Sequence, residues 1–190
     1  DVLAVAANYL KCTPTLYSVH AFQNFPELPD AKDVVPYKNV QTFHRDRDDF
    51  KFISLFINLT DSDADHYYIP GSHTEAGTIE LFKLLLSRSD QLKESWESQK
   101  IHHSIMFRNH EIAQTACENL LQDRTMSRPS VAGHGFFTDV FGLHKGGVPT
   151  RPRLLLTARF GLYSNSAASK ESRPPIAFGA LRDRITDSEL

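Results

Sequence analysis

Phe43-His44-Arg45-Asp46 stands just ahead of an apolar run of the sequence, Phe50-Lys51-Phe52-Ile53-Ser54-Leu55-Phe56-Ile57-Asn58-Leu59. Alternate residues of a strand point to opposite sides of its sheet, and both sides of this run are largely apolar, which predicts a strand buried between two layers. On an extended chain His44 and Asp46 point to the same side, so an imidazole nitrogen and a carboxylate oxygen can face one point. The triplet alone is a weak signal, because it also occurs at solvated loop ends.

Two histidines and one carboxylate on one face of an octahedral ion form the ligand set of non-haem Fe(II) oxygenases, with three positions left open. The second histidine of such a set is best supplied by His144, at the end of a strand predicted for residues 133–144. Antiparallel pairing would bring that end to the mouth of the fold where His44 and Asp46 lie. We therefore interpret His44, Asp46 and His144 as catalytic metal ligands.

Arg153 begins the last predicted strand, residues 153–162, and lies on its polar face. A partly buried guanidinium there would bind a carboxylate through two parallel hydrogen bonds, as a dicarboxylate co-substrate on the metal requires. Thr157 follows two steps along the same face and is predicted to contact the same co-substrate. Arg151 shares the face, but Pro152 and the preceding loop predict that it is exposed to solvent.

The remaining sequence predicts a mainly β fold. A short helix is predicted for residues 1–12, strands for 16–22, 37–44 and 67–69, an acidic turn for 61–65, and helical segments for 77–100 and 111–121. Short strands bounded by turns indicate a sandwich or jelly roll. We predict one domain, residues 1–190, in which residues 77–130 form a helical insertion over the β core.

Composition restricts the function classes. The chain has 190 residues, 41% hydrophobic and 23% charged, which fits one folded domain. A net charge of -2 argues against a nucleic-acid partner, and no apolar run reaches the roughly 20 residues of a membrane span. Cys12 and Cys117 form neither a disulfide framework nor a zinc motif, so we expect a reducing, cytoplasmic location. The start at Asp1, without a methionine, indicates a trimmed or partial chain.

Together, these segments make the chain similar to the phytanoyl-CoA dioxygenase-like family of Fe(II)/2-oxoglutarate oxygenases. The resemblance covers most of residues 1–75 and 131–162. The matching stretches are residues 9–14, Phe43-His44-Arg45-Asp46-Arg47-Asp48-Asp49-Phe50, residues 52–61, Pro70-Gly71-Ser72-His73, Leu143-His144-Lys145-Gly146 and residues 152–156. Residues 77–130 match no known pattern, and members of the family usually carry more sequence before the first helix.

The resemblance implies a double-stranded β-helix (jelly roll, cupin-like) with flanking helices. It implies that His44, Asp46 and His144 bind Fe(II), and that Arg153 binds the distal carboxylate of 2-oxoglutarate. The implied reaction uses 2-oxoglutarate and O2 to hydroxylate a small organic substrate, with release of succinate and CO2. Because related halogenases replace the carboxylate ligand by a small residue and Asp46 is present, hydroxylation is expected.

Two other functions remain open at this point. The first is a non-catalytic jelly-roll binding module, against which the complete set of three ligands and Arg153 argues. The second is a cupin-type metalloenzyme that does not use 2-oxoglutarate, and Arg153 discriminates against it. We expect a small-molecule substrate, but neither its identity nor the oligomeric state is predicted by the sequence.

Overall fold

The computed structural model describes residues 1–26, 41–46, 48, 51–90, 94 and 118–162. This part of the chain is mainly β, with seven strands, two α-helices and one short 3-10 helix. In chain order the elements are α1 (Val2–Leu10), β1 (Thr15–Asn24), β2 (Phe52–Asn58), β3 (Ser62–Tyr68), α2 (Glu75–Arg88), the 3-10 helix Gln122–Arg124, β4 (Met126–Ser130), β5 (Gly135–Thr138), β6 (His144–Gly146) and β7 (Arg153–Gly161).

The strands form two antiparallel sheets. The larger has the order β1-β7-β2-β5 and the smaller has the order β4-β3-β6. His44 continues the smaller sheet, because it makes an antiparallel bridge with His144 of β6. Side chains from the larger sheet contact the smaller one, for example where the rings of Phe56 and His66 lie 5.1 Å apart. The two sheets therefore enclose an interior, which is described below as the space between the sheets.

The strand β2 lies between two layers, as its sequence predicts. On one side Phe52 and Phe56 are buried in a cluster with Val140 and Leu155 that faces the space between the sheets. On the other side the aliphatic residues of β2 pack under α1, in a cluster of Ala6, Leu10, Ile53, Leu55 and Phe160. Because alternate residues of β2 serve different cores, both layers fix the position of the strand.

A third apolar cluster anchors the segments that carry the predicted ligands. Phe43 and Leu143, which directly precede His44 and His144, are buried against Leu81 and Leu85 of α2. Neighbouring residues on an extended chain point in opposite directions, so burial of the apolar residue on the outside directs each histidine inward. The helix α2 begins at the cap Thr74, whose side chain accepts a hydrogen bond from the backbone N–H of Gly77.

The prediction of a helical block at residues 77–130 differs from the structure at the C-terminal end of the block, which is a strand. Residues 75–88 are helical, and the predicted helix at 111–121 lies mostly outside the described residues. Residues 126–130, however, form β4, which pairs with β3 at the edge of the smaller sheet. This strand has no alternating apolar pattern, and Pro129 is tolerated because β4 pairs with β3 alone among the described strands, which leaves its other side without a strand partner there.

Two further predicted elements differ. An acidic turn was expected at residues 61–65, but residues 62–65 are the first four residues of β3. The continuous strand expected at residues 133–144 is broken: β5 ends at Thr138, and a turn closed by a 3.0 Å hydrogen bond from Gly142 N to Asp139 O leads to β6. The prediction of one strand from residue 133 to His144 was therefore wrong. Among the described residues, no helix is long and apolar enough to cross a membrane.

Candidate metal centre

The structure brings His44, Asp46 and His144 together. One potential ligand atom from each lies within 4.8 Å of the other two, and all three side chains are buried. Nε2 of His44 is 3.7 Å from Oδ1 of Asp46, and the two imidazole rings are 4.3 Å apart. Neighbouring ligand atoms that are each about 2.1 Å from an ion are about 3 Å apart, so small side-chain adjustments would close the set around a metal.

The hydrogen bonds of the two histidines fix which nitrogen faces the centre. Nδ1 of His44 lies 2.7 Å from the carbonyl oxygen of Thr42, and Nδ1 of His144 lies 2.9 Å from that of Gly142. A carbonyl oxygen only accepts, so each Nδ1 must carry the proton and donate. Each Nε2 then presents a lone pair, which is the state that metal coordination requires. The donor set therefore fits a divalent transition metal.

Arg159 holds the carboxylate of the set. Its Nη2 donates to Oδ2 of Asp46 at 2.9 Å, while Oδ1 is the oxygen that faces His44. The same guanidinium also pairs with Asp48. An ion pair on one oxygen orients the carboxylate and leaves the other oxygen directed toward His44. The sequence analysis did not give Arg159 a role, although it lies on the strand face of Arg153 and the alternation of β7 could have indicated it.

The turn at residues 139–142 contacts two of the three predicted ligands. Its Val140 carbonyl accepts the backbone N–H of Asp46 at 2.8 Å, and its Gly142 carbonyl accepts from the imidazole of His144. The turn itself is braced by Asp139, because Oδ1 of that residue accepts the N–H of Phe141 at 2.9 Å.

The other oxygen of Asp139 connects the turn to α1. Oδ2 accepts a hydrogen bond from the hydroxyl of Tyr9, and this contact, together with burial, raises the pKa of that hydroxyl. Tyr9 itself packs against the cluster beneath α1. A contact path therefore runs from the first helix through Asp139 to the ligands.

Gly142→Ala is expected to weaken metal binding about tenfold or more, in line with losses of second-layer contacts to a metal ligand. Three atoms of Tyr68 lie within 3.0 Å of where the new Cβ would stand, so the turn or the ring must move, at a cost of about 1–3 kcal/mol. Anaerobic titration with Fe(II), beside a thermal melt, measures both effects.

The matched control for this variant is the double substitution Gly142→Ala with Tyr68→Leu. Removing the ring relieves the clash, so metal affinity should recover most of its loss. If the single variant bound metal as tightly as the wild type, the turn would have no part in positioning the ligands.

Arg153 and Thr157 are both buried on the face of β7 that carries Arg159. Nη1 of Arg153 donates to the carbonyl of Ala64 and, at 3.3 Å, to Oγ of Ser130. Burial lowers the pKa of the guanidinium, but arginine stays charged at neutral pH. The structure thus places a buried cation and a buried hydroxyl along the interior, and their contact with a co-substrate stays a prediction.

Several buried polar atoms have no hydrogen-bond partner among the described residues. Four of them, on β1, β2 and β7, are Asn24 Oδ1, Ser54 Oγ, Asn58 Nδ2 and Arg153 Nε. In the strand register Asn24 lies opposite Arg153, and Ser54 lies opposite Arg159, so these side chains share the inner face. Buried polar atoms are nearly always satisfied, so these four are positioned to bind ordered water or a polar ligand in the interior.

His66 is an interior histidine that the sequence analysis missed. Its ring lies 5.0 Å from that of Phe136 and 5.7 Å from that of His144, and its Nε2 has no partner among the described residues. Burial, reinforced by the nearby guanidinium of Arg153 and by electrostatic interaction with His144 and His44, lowers its pKa well below the ordinary value, so the ring is neutral. Residue 66 lay between a predicted turn and a predicted strand, so the sequence did not predict that its side chain points into the interior.

Neither a protein-family model nor a curated protein matches the sequence. Solved structures do match the fold. AviO1 from Streptomyces viridochromogenes Tue57 is 15% identical over 86% of this chain and 58% of its own, with a TM-score of 0.50. The non-heme alpha ketoglutarate dependent carbocyclase SnoK from nogalamycin biosynthesis is 15% identical over 96% and 62%, with a TM-score of 0.50.

The epimerase SnoN, solved in complex with Fe3+, alpha ketoglutarate and nogalamycin RO, is 16% identical over 93% of this chain and 62% of its own, with a TM-score of 0.50. At such identities the likeness shows a shared fold. This chain spans about three fifths of the length of those structures. No comparison tests the resemblance to the phytanoyl-CoA dioxygenase-like family in particular, which stays a prediction.

Proposed function

We propose that the protein is an Fe(II)- and 2-oxoglutarate-dependent dioxygenase that hydroxylates a small organic substrate and releases succinate and CO2. The observation that carries the proposal is the convergence of His44, Asp46 and His144 with both Nδ1 atoms committed to carbonyl oxygens. The Fe3+ and alpha ketoglutarate bound to SnoN, a protein of the same fold, support the same choice of metal and co-substrate.

In this proposal His44 and His144 bind Fe(II) through Nε2, and Asp46 binds it through Oδ1. Arg159 orients the carboxylate of Asp46 through the ion pair on Oδ2. The bound metal supplies the redox chemistry with O2 and 2-oxoglutarate, which no side chain can supply. The protein's contribution is to position the ligands on two segments, which are fixed by the burial of Phe43 and Leu143 against α2.

We assign the distal carboxylate of 2-oxoglutarate to Arg153, with Thr157 as a second contact. A dicarboxylate that enters the interior meets a buried cation whose Nε has no partner among the described residues. His66 lies beside the proposed ligand His144, with 5.7 Å between the two ring centroids. A neutral imidazole at that place adds a hydrogen-bonding group without adding charge.

The proposed domain is a single jelly roll, residues 1–190, whose two antiparallel sheets enclose the site. Its similarity in fold to SnoK and SnoN, over 96% and 93% of this chain, supports one continuous domain. The cytoplasmic location proposed from the cysteines is compatible with the exposed free thiol of Cys12.

Hydroxylation is proposed as the reaction because Asp46 completes the carboxylate ligand. SnoK is named a carbocyclase and SnoN an epimerase, so enzymes of this fold catalyse other reactions with alpha ketoglutarate. Mass spectrometry of the product distinguishes hydroxylation, ring closure and epimerisation. Hydroxylation adds an oxygen atom, ring closure removes hydrogen, and epimerisation leaves the mass unchanged.

The test of the class is anaerobic addition of Fe(II) and then 2-oxoglutarate to metal-free protein, followed by oxygen. We expect a visible charge-transfer absorption when 2-oxoglutarate joins the bound Fe(II), and slow succinate formation after oxygen is admitted. Omission of Fe(II) is the control and should remove both signals. A folded, metal-bound sample that gives neither signal would favour the binding module or the cupin-type enzyme instead.

A further inference from the structure

A cavity of about 340 Å³ opens where the edge strand β5 of the larger sheet faces β3 and β4 of the smaller one. Its walls include His66 and Tyr68 from β3, Met126 and Arg128 from β4, and Phe136 from β5. The volume falls at the lower end of the about 300–1,000 Å³ found for small-molecule sites, so the cavity suits a compact ligand.

The strand register joins this cavity to the candidate metal centre. On one side Tyr68 pairs with Met126, and on the other it pairs with His144. His66 pairs with Arg128 in the same way. Cross-strand partners point to the same side of a sheet, so the cavity walls and the ligand His144 share the inner face. Two strand spacings, about 10 Å, separate the strand of Arg128 from that of His144.

The walls are mostly aromatic, and they carry one formal charge of each sign. Asp139 also lines the cavity, but its carboxylate already accepts hydrogen bonds from Tyr9 and from the backbone of Phe141. Arg128 is exposed and has no ion pair with any described residue. The cavity therefore offers ring surfaces near the metal centre and one available cation at its outer wall.

We propose that this cavity binds the prime substrate, a small molecule with a planar ring body and an anionic group. The ring packs against Tyr68 and Phe136, with its reacting edge toward His144, and the anion pairs with Arg128. The assignment to a substrate rests on the proposed dioxygenase function, whereas the binding of a ring-bearing anion does not depend on it.

The test uses 2-naphthoate as the probe and 2-naphthamide as its neutral counterpart, with binding to the metal-free full chain measured by ligand-observed NMR. We expect wild-type protein to prefer the anion. Arg128→Gln should weaken 2-naphthoate binding about tenfold, the effect of losing one charge-assisted hydrogen bond, and leave 2-naphthamide unchanged. Arg124→Gln, an exposed arginine outside the cavity, is the matched control and should alter neither.

Equal affinity of Arg128→Gln and wild type for 2-naphthoate would overturn the proposal. So would loss of 2-naphthoate binding in Arg153→Gln but not in Arg128→Gln, because the anion would then occupy the co-substrate position. The charge-transfer absorption with Fe(II) and 2-oxoglutarate is recorded on the same preparations. Its absence beside Arg128-dependent binding would refute the dioxygenase function and leave the anion site standing.

Discussion

Asp46→Ala should abolish succinate formation and lower the affinity for Fe(II) by a factor of at least about 100. Removing a contact behind a metal ligand typically costs 10- to 100-fold in affinity, and a direct ligand should cost no less. The variant leaves two imidazoles and removes the one anionic donor of the predicted set, so the ion would be held less tightly. Anaerobic Fe(II) titration in the presence of 2-oxoglutarate measures the affinity, and the succinate assay measures turnover.

The matched control is Asp48→Asn. Asp48 is the other carboxylate that pairs with Arg159, but it is not one of the three converging side chains. Its partly exposed ion pair is worth little, so Fe(II) affinity should stay close to wild type. A thermal melt of both variants separates loss of the metal from loss of the fold. Wild-type turnover by Asp46→Ala would show that this ligand assignment is wrong.

Arg153→Gln should raise the 2-oxoglutarate concentration needed for half-saturation at least about 30-fold, and leave Fe(II) binding intact. Truncating one partner of a buried, hydrogen-bonded charge pair costs about 2–5 kcal/mol, and the lower limit corresponds to that factor. The charge-transfer absorption, titrated with 2-oxoglutarate at saturating Fe(II), reports the co-substrate affinity directly.

Arg153 also has a structural contact, because its donation to the Ala64 carbonyl ties β7 to β3. Arg151→Gln is therefore the matched control: this exposed neighbour precedes the strand, and its loss should change neither the melt nor the titration. Arg153→Lys keeps the charge but lacks the planar guanidinium, so its affinity for 2-oxoglutarate should lie between those of Arg151→Gln and Arg153→Gln. Unchanged 2-oxoglutarate affinity in a folded Arg153→Gln protein would favour the cupin-type enzyme that does not use this co-substrate.

Local periodicity was enough to predict the convergence of His44 with Asp46 and the inward face of β7. Both follow from alternation over a few residues, which the sequence displays directly. The pairing of Arg159 with Asp46 could not be predicted, because the two are 113 residues apart and only the register of the sheets brings them together. His144 was predicted because a ligand set that already contained His44 and Asp46 needed a second histidine.

The predictions failed where a strand lacks alternation or where residues that favour strands occupy and flank a turn. The strand β4, Met-Ser-Arg-Pro-Ser, has neither an apolar face nor β-branched residues, and its pairing with β3 is a long-range choice. The turn at residues 139–142 follows two phenylalanines and contains a valine, so the local preference is for continued strand. Asp139 overrides that preference by accepting the N–H of Phe141.

The hydrogen bond between Tyr9 and Asp139 makes the first helix and the metal centre thermodynamically linked. The turn that accepts a hydrogen bond from the Tyr9 hydroxyl also accepts hydrogen bonds from Asp46 and His144. Docking of α1 and ordering of these two residues therefore favour one another. Such coupling is reciprocal. The binding free energy that an ion would gain from a docked α1 is therefore the free energy by which the ion would stabilise the docking of α1, and undocking of α1 would weaken metal binding.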